Sequence, residues 1–466
     1  MATPAPSITF SISDKTFDLV PERAAFWDSP ITVQWFKERG YTLYKRFYLE
    51  GEPVDSQSVP ALPFEEFGDG MYPFAYYDTK IFCKISVPLR SYVSTANIAF
   101  AQDSFGRHVA IKIVQDNTDE YRILRLLSQK TREELKDNCV IPVLELLPIE
   151  GFWFTIMPRW GTAVITPMFS EVRQVLHFIR STLKALVFLH ENNICHGDIK
   201  AGNILVNHFG DQGISHYFDM RYELRSRDCI HYAMFDFDFS IMLPPGIDRT
   251  KYRLPYHKSW GTFNTTMDTA QGEIDFNPFV LDVGSLGVML SSYFRYFSGT
   301  LPLLAPLLDK MTTRNLHSRF TASEALHFLE DMYSQLTPAE LSAEFLREAD
   351  IDRDYLRYYE YDTWKHVPPE FAAKWAAYRE PPIPWTTTIL RKLCQNTWIY
   401  HIVLRVRWFL SRLSSCYRHT TRKNSWLDFG QAIQKYGLLE FQKNITLWST
   451  AGTPLIISVL HIVIVF

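Results

Sequence analysis

Apolar and polar positions change rhythm along the chain. Over roughly residues 80–115 they follow a strand pattern. Residues 107–114, Arg-His-Val-Ala-Ile-Lys-Ile-Val, form the clearest run, and Asp103-Ser-Phe-Gly106 ahead of it reads as a hairpin turn. Asn117 and Thr118 stand where a helix cap is expected. Asp119 and Glu120 follow in its first turn, with Ile123, Leu124, Leu126 and Leu127 as the apolar face. Residues 140–147 and 152–157 predict two more strands. Beyond Gly161 the period becomes helical: residues 172–191 carry Val175, Phe178, Ile179, Leu183, Leu186, Val187 and Leu189 at helical spacing. Nearer the start, residues 35–40 predict a short helix stopped by Gly40 and followed by a strand, and residues 53–63 read as a proline-bearing loop. A strand-rich stretch followed by a helix-rich one predicts an α+β fold.

Composition narrows this picture. The chain has 466 residues, 47% of them hydrophobic, which supplies two or three globular units and excludes a wholly disordered chain. A net charge of −3 leaves no overall footprint for nucleic acid, so none is expected as a partner. The six cysteines (Cys83, Cys139, Cys195, Cys229, Cys394, Cys416) are scattered and form no CxxC pair. They predict neither a disulfide framework nor a zinc site, but thiols in an intracellular, cytoplasmic setting. The first residues lack the pattern of a secretory signal. Residues 391–424 hold eight Lys/Arg and no acid, interleaved with Ile402, Val403, Leu404, Val406, Trp408, Phe409, Leu410 and Leu413. Such a basic amphipathic helix suits an anionic membrane surface, or docks on the rest of the chain with its arginines in water. Residues 445–466 carry no charge and are marginal for a span. They read as a tail anchor or as a buried strand.

One stretch carries chemistry: His196-Gly-Asp198-Ile-Lys200-Ala-Gly-Asn203-Ile-Leu-Val206. A carboxylate can take the proton of an attacking hydroxyl, a cation two residues on can steady a transferring phosphoryl group, and an amide oxygen five residues on can bind a metal ion. The stretch resembles the catalytic loop of the eukaryotic protein kinase superfamily. Further likenesses follow in order. Val109-Ala-Ile-Lys112 resembles the strand whose lysine binds the nucleotide phosphates, and Glu120 the glutamate that pairs with it. Met157-Pro-Arg159-Trp160 sits where the adenine-binding hinge is expected. Asp236-Phe-Asp238 resembles the metal-binding aspartate motif. Residues 282–287 resemble the helix that anchors the catalytic loop, and residues 319–326 the last core helix. Asp236 is preferred over Asp238 as the metal-binding carboxylate, because the alternative register would point Asp236 into the core. The flanks, with Gly40-Tyr-Thr-Leu43 before and a basic helical tail after, also resemble a divergent kinase-like group of mushroom-forming fungi.

The resemblance implies a bilobal protein-kinase-like fold at residues 80–335, with a small β-rich N-lobe (80–158) and a larger α-helical C-lobe (159–335). Residues 1–79 become an N-terminal accessory segment, 336–444 a helical basic extension and 445–466 an apolar tail. It implies ATP and Mg²⁺ as cofactors and a protein Ser/Thr hydroxyl as acceptor. By likeness Asp198 is the base and Lys200 the charge stabiliser; Asn203 and Asp236 hold the metal; Lys112, paired with Glu120, positions phosphates. Met157, Arg159 and Trp160 line the hinge, Ala110 and Leu205 sandwich the adenine, and Leu124, His196, Phe237 and Asp282 form an internal spine.

Four departures stand out. Residues 91–97, where a glycine-rich phosphate loop is expected, contain no glycine. Gly197 replaces an arginine, and Asp238 replaces a glycine. Glu273 takes the place of the acid expected to pair with Arg319. Residues 207–228 read as a surface insertion, and the spacing of His208, His216 and His231 fits no metal site. The departures favour a pseudokinase, a nucleotide-binding scaffold, as the alternative. A small-molecule phosphotransferase is the third reading, since His-Gly-Asp occurs there too.

Overall fold

The computed structural model describes residues 3–12, 19–49, 52–61, 71–78, 89–90, 95–210, 217–259, 266–345 and 361–421. The strongest strand of the sequence is the centre of a five-stranded antiparallel sheet. Its strands are β1 (Thr42–Leu43), β2 (Ile98–Gln102), β3 (His108–Gln115), β4 (Glu145–Ile149) and β5 (Phe152–Pro158), in spatial order β1-β2-β3-β5-β4. Side chains alternate between the faces of a strand. Val109, Ile111 and Ile113, none of them exposed, therefore point to one face, and Ala110 and Lys112 to the other. Register carries this across the sheet: Ile98 opposes Lys112, Phe100 opposes Ala110, and Met157 opposes Ala110 from β5.

The first face is covered by α1 (Val20–Asp28) and α2 (Pro30–Lys37). Ser29 caps α2 by accepting from the Thr32 N–H at 3.2 Å. Trp27, Trp35 and Phe36 close around Phe154, with ring centroids 5.8, 5.5 and 4.8 Å from it, and share a core with Ile111 and Ile156. The N-terminal segment is thus part of the sheet's packing and supplies its edge strand. The loop expected over residues 53–63 also differs, since Glu52–Val59 is a strand between Lys45–Leu49 and Leu89–Arg90.

Helix α3 (Asp119–Ser128) begins where expected, with the Thr118 side chain accepting from the Tyr121 N–H at 3.2 Å. Its Ile123, Leu124 and Leu127 join Phe188 and Phe237 in one core cluster. Helix α4 (Val172–Glu191) matches the predicted bounds. It packs with α6 (Pro278–Phe294), α7 (Leu304–Thr312) and α8 (Ala322–Tyr333) around Phe178, Leu183 and Leu286. Between them lies α5 (Tyr217–Ser226), inside the expected surface insertion. That expectation is corrected. Arg221 and Arg225 of α5 are buried and bond backbone carbonyls of residues 163–167, at 2.6–2.9 Å for Arg221 Nη1 on Ala163 and Thr166 and for Arg225 on Val164 and Pro167. His208–Gly210 pairs in parallel with Tyr76–Asp78.

Contacts divide the chain into two units. The first comprises Met1–Arg249 and Asp282–Arg379, so it runs past the expected boundary at 335. The reason is packing: Phe345 lies in the α4 core, and Trp364 donates from Nε1 to Asp309 at 2.7 Å. The second unit joins Thr250–Leu281 to the chain beyond Glu380. Here α9 (Trp385–Cys394) and α10 (Thr397–Thr421) carry the basic amphipathic stretch. Leu390, Cys394, Tyr400 and Val403 form a cluster against which Tyr256 packs. Tyr400 donates to the Thr269 carbonyl at 3.1 Å, and Arg407 stands 3.7 Å from Glu273. Glu273 therefore pairs with Arg407; Arg319 instead donates to the Thr313 carbonyl at 2.9 Å. No helix among the described residues is long and apolar enough to cross a membrane, and the apolar tail at 445–466 lies outside them.

Val403 is fully buried in this cluster, so Val403→Asp forces a charge into an apolar site at a cost of several kcal/mol. Hydrogen exchange at residues 266–281 is expected to accelerate in this variant and to stay slow in Val403→Ile. Equal exchange in wild type and Val403→Asp would show that the helix does not hold the segment.

Candidate active site

The site begins with a lysine that the sheet buries. Lys112, on β3 and only 7% exposed, places Nζ 2.5 Å from Glu120 of α3 and 2.7 Å from Asp236. The short connection between β3 and α3 is long enough because Glu120 sits in the first turn of the helix. Burial alone would lower the lysine's pKa. The carboxylates of Asp236, Glu120 and Asp238 outweigh it and hold the ammonium well above its ordinary value. Burial pushes Glu120 up to about 7, with Lys112 pulling the other way. Asp236 adopts a left-handed backbone, φ +68°, which aspartate tolerates better than most residues. Phe237 beside it is buried against Leu124.

The 196–203 loop is built on a second buried carboxylate. Asp282, at the start of the portion of α6 in the first unit, accepts from the backbone N–H groups of His196 and Gly197 at 2.7 and 2.9 Å. His196 stacks near Phe237, with ring centroids 5.8 Å apart. Its Nε2 lies 3.0 Å from the Phe235 carbonyl and its Nδ1 3.3 Å from the Asp198 N–H, which assigns the neutral Nε2–H tautomer. Asp198 is 3% exposed. Lys200 Nζ donates to its Oδ2 at 2.6 Å, and Asn203 Nδ2 donates to the same oxygen at 2.9 Å and to the Asp198 carbonyl at 2.8 Å. The Phe235 N–H bonds the Asn203 carbonyl at 3.1 Å and ties this loop to the one carrying Asp236.

Beside these groups lies a cavity of about 110 Å³. Ile98, Phe100 and Ala110 line it from the sheet, Met157 and Pro158 from the end of β5, Arg159–Gly161 from the segment after it, and Leu205 and Phe235 from the chain beyond. Ala110, Met157 and Leu205 thus border one space. Gly161 is held by paired backbone bonds to Val206, both 2.9 Å, and a Cβ there would meet the His208 carbonyl oxygen at 2.1 Å. The side chains of Arg159 and Trp160 are engaged by neighbouring aromatic rings and backbone. The Arg159 guanidinium stacks on Phe100 at 3.8 Å and lies 4.7 Å from Phe209, and Trp160 donates to the Pro73 carbonyl at 2.7 Å. The cluster of Arg159, Tyr44, His108 and Phe209 carries no sequence motif; only the aromatic residues at these positions hinted at it.

Hard oxygen donors suit Mg²⁺, and Asp236 together with the Asn203 side-chain oxygen fits that requirement. Among the described residues no three His, Cys, Asp or Glu side chains gather into a metal cluster; His216 lies outside the described residues.

No protein-family model matches the chain. Over 110 residues it is 33% identical to a serine/threonine-protein kinase US3 homolog of varicella-zoster virus, covering 22% of this chain and 26% of that protein. It is 34% identical over 76 residues to the corresponding homolog of cercopithecine herpesvirus 9, 16% of this chain and 22% of that one. It is also 33% identical over 95 residues to a probable serine/threonine-protein kinase of Dictyostelium discoideum, 20% of this chain and 13% of that protein. The chain spans about a quarter or less of the length of these relatives. It is kinase-like over that part, and its mixed α+β architecture is compatible with a bilobal kinase-like fold.

Two outcomes follow. Gly197 has φ +79°, and a Cβ there would stand 2.7 Å from the Phe239 carbonyl oxygen. Gly197→Arg, which restores the arginine of the resemblance, is therefore expected to destabilise the fold by about 1–3 kcal/mol. An unchanged melting temperature would contradict this. His108 is held down to about 3 by burial and by the positive charge of Arg159. The unfolded chain then takes up a proton that the folded one refuses. Stability from this group is full above about pH 6.5 and falls as pH is lowered, by up to about 1.4 kcal/mol per pH unit. In chemical denaturation between pH 6.5 and 4, His108→Gln is expected to flatten the slope by that share.

Proposed function

We propose that the chain is a divergent protein kinase-like enzyme that transfers a phosphoryl group from ATP to a Ser/Thr hydroxyl of a protein. The observation that carries this reading is the buried Lys112, which joins buried Glu120 and the partly exposed Asp236 in one ion-pair system beside an apolar cavity. Ala110 and Leu205 border the cavity where a flat base would lie. Asp198 is the general base, its carboxylate oriented by Asn203 and charge-balanced by Lys200, which then steadies the transferring group. Asp282 keeps the loop in place by bonding two consecutive N–H groups. Asp236 and Asn203 would hold magnesium, which would supply charge neutralisation of the phosphates. The matched relatives are named as serine/threonine-protein kinases, which supports the hydroxyl class. The absence of glycine from 91–97 favours the second reading, a nucleotide-binding scaffold. The C-terminal basic helix packs on Tyr256 and Glu273 in its own unit, which supports docking over a membrane role.

The full chain incubated with Mg²⁺ and γ-labelled ATP is expected to label a generic protein acceptor, and Asp198→Asn to lower the rate at least about a hundredfold with nucleotide binding retained. Nucleotide binding without transfer by the wild type would leave the scaffold reading in its place.

A further inference from the structure

In the sheet, the edge strand β1 and its neighbour β2 are joined through residues 44–97 instead of a short glycine hairpin. The last turn of that connection is gripped from behind. Arg23, fully buried on α1, donates from Nη1 to the Thr95 carbonyl at 2.7 Å and from Nη2 to the Ser11 carbonyl at 2.7 Å. Trp27, one helical turn on, donates from Nε1 to the Ala96 carbonyl at 2.9 Å. We propose that Arg23 and Trp27 are positioning residues, which fix the turn so that the backbone N–H groups of Ala96 and Asn97 face the cavity and hold the phosphates of a bound nucleotide.

The direction follows from peptide geometry. In a trans peptide the C=O and the next residue's N–H point opposite ways. The Thr95 and Ala96 carbonyls point to α1, so the N–H groups of Ala96 and Asn97 point away from it. Helix α1 covers the face of β3 that carries Ile111, and the next residue after the turn, Ile98, lines the cavity directly opposite Lys112 in the register. The amides are therefore on the side of the sheet where Lys112 lies. Ala96 sits at φ +52°, a left-handed conformation that brings successive N–H groups together into an anion-binding concavity. No described group accepts from either N–H. Glycine makes such a conformation cheap. Here two side chains hold an alanine in it, so the job normally given to glycine in the loop falls to residues about 70 positions earlier in the chain.

This inference rests on the nucleotide reading above, and the test separates the two. Mg·ATP and adenosine are titrated into the full chain, into Trp27→Phe, which keeps the ring and removes the donor, and into Arg23→Lys. Adenosine fills the base site without touching the phosphate turn, so its binding also reports an intact cavity. Trp27→Phe is expected to weaken ATP about fivefold, the worth of one lost hydrogen bond, and to leave adenosine within about twofold. Arg23→Lys is expected to do the same to a larger extent. Unchanged ATP affinity in both variants, or equal losses for ATP and adenosine, would overturn the positioning role. A wild type that binds neither ligand would overturn the nucleotide reading itself.

Discussion

Lys112 is the constraint on which the site depends. A lysine ammonium taken out of water costs several kcal/mol unless countercharges follow it in. Two carboxylates meet it, one from α3 just after the strand and one from the distant loop at 236, so these three elements must come together wherever this lysine is buried. The alternation of β3 decides which side they meet on. Ile111 and Ile113 are given to the packing of the N-terminal helices, Ala110 on the other face lines the cavity, and Lys112 on that face meets its carboxylates. Asp282 has the same logic on the other side of the site: one buried carboxylate, satisfied by two loop N–H groups, fixes where Asp198 stands.

The N-terminal segment shows how a departure from a familiar pattern can be absorbed. Trp27, Trp35 and Phe36 bury an aromatic cluster on the sheet, and β1 completes its edge. Once α1 is docked this tightly, its polar side chains can reach the turn before β2. Packing energy gathered over many apolar contacts then holds a few backbone groups that the local sequence would not hold alone.

Much of this was legible in the chain. The helix at Val172–Glu191, the cap at Thr118 and the β2–β3 hairpin follow from local period and turn chemistry, which act over a few residues. The spacing of Asp198, Lys200 and Asn203 is itself a signal for their chemistry, and Lys112 and Asp236 come in as what the resemblance implies. What could not be read was tertiary. The strand expected after Gly40 is Thr42–Leu43, but its place at the sheet edge beside β2 is set by pairing across a long connection that local pattern does not contain. The burial of Arg221 and Arg225 contradicts their polarity and is made affordable by carbonyls of residues 163–167. Glu273 finds Arg407 well over a hundred positions away, a pairing no spacing rule contains. The side chain of Arg159 is taken by aromatic rings supplied from three separate segments.

The central claim is that the ion-pair system at Lys112 is the phosphate-facing part of a nucleotide site. Titration calorimetry of the full chain with Mg·ATP tests it most directly. The account predicts saturable binding of one nucleotide per chain, weakened more than about tenfold in Lys112→Met through loss of a charge-assisted contact. Absence of binding at millimolar ATP, or equal affinity in wild type and Lys112→Met, would contradict it.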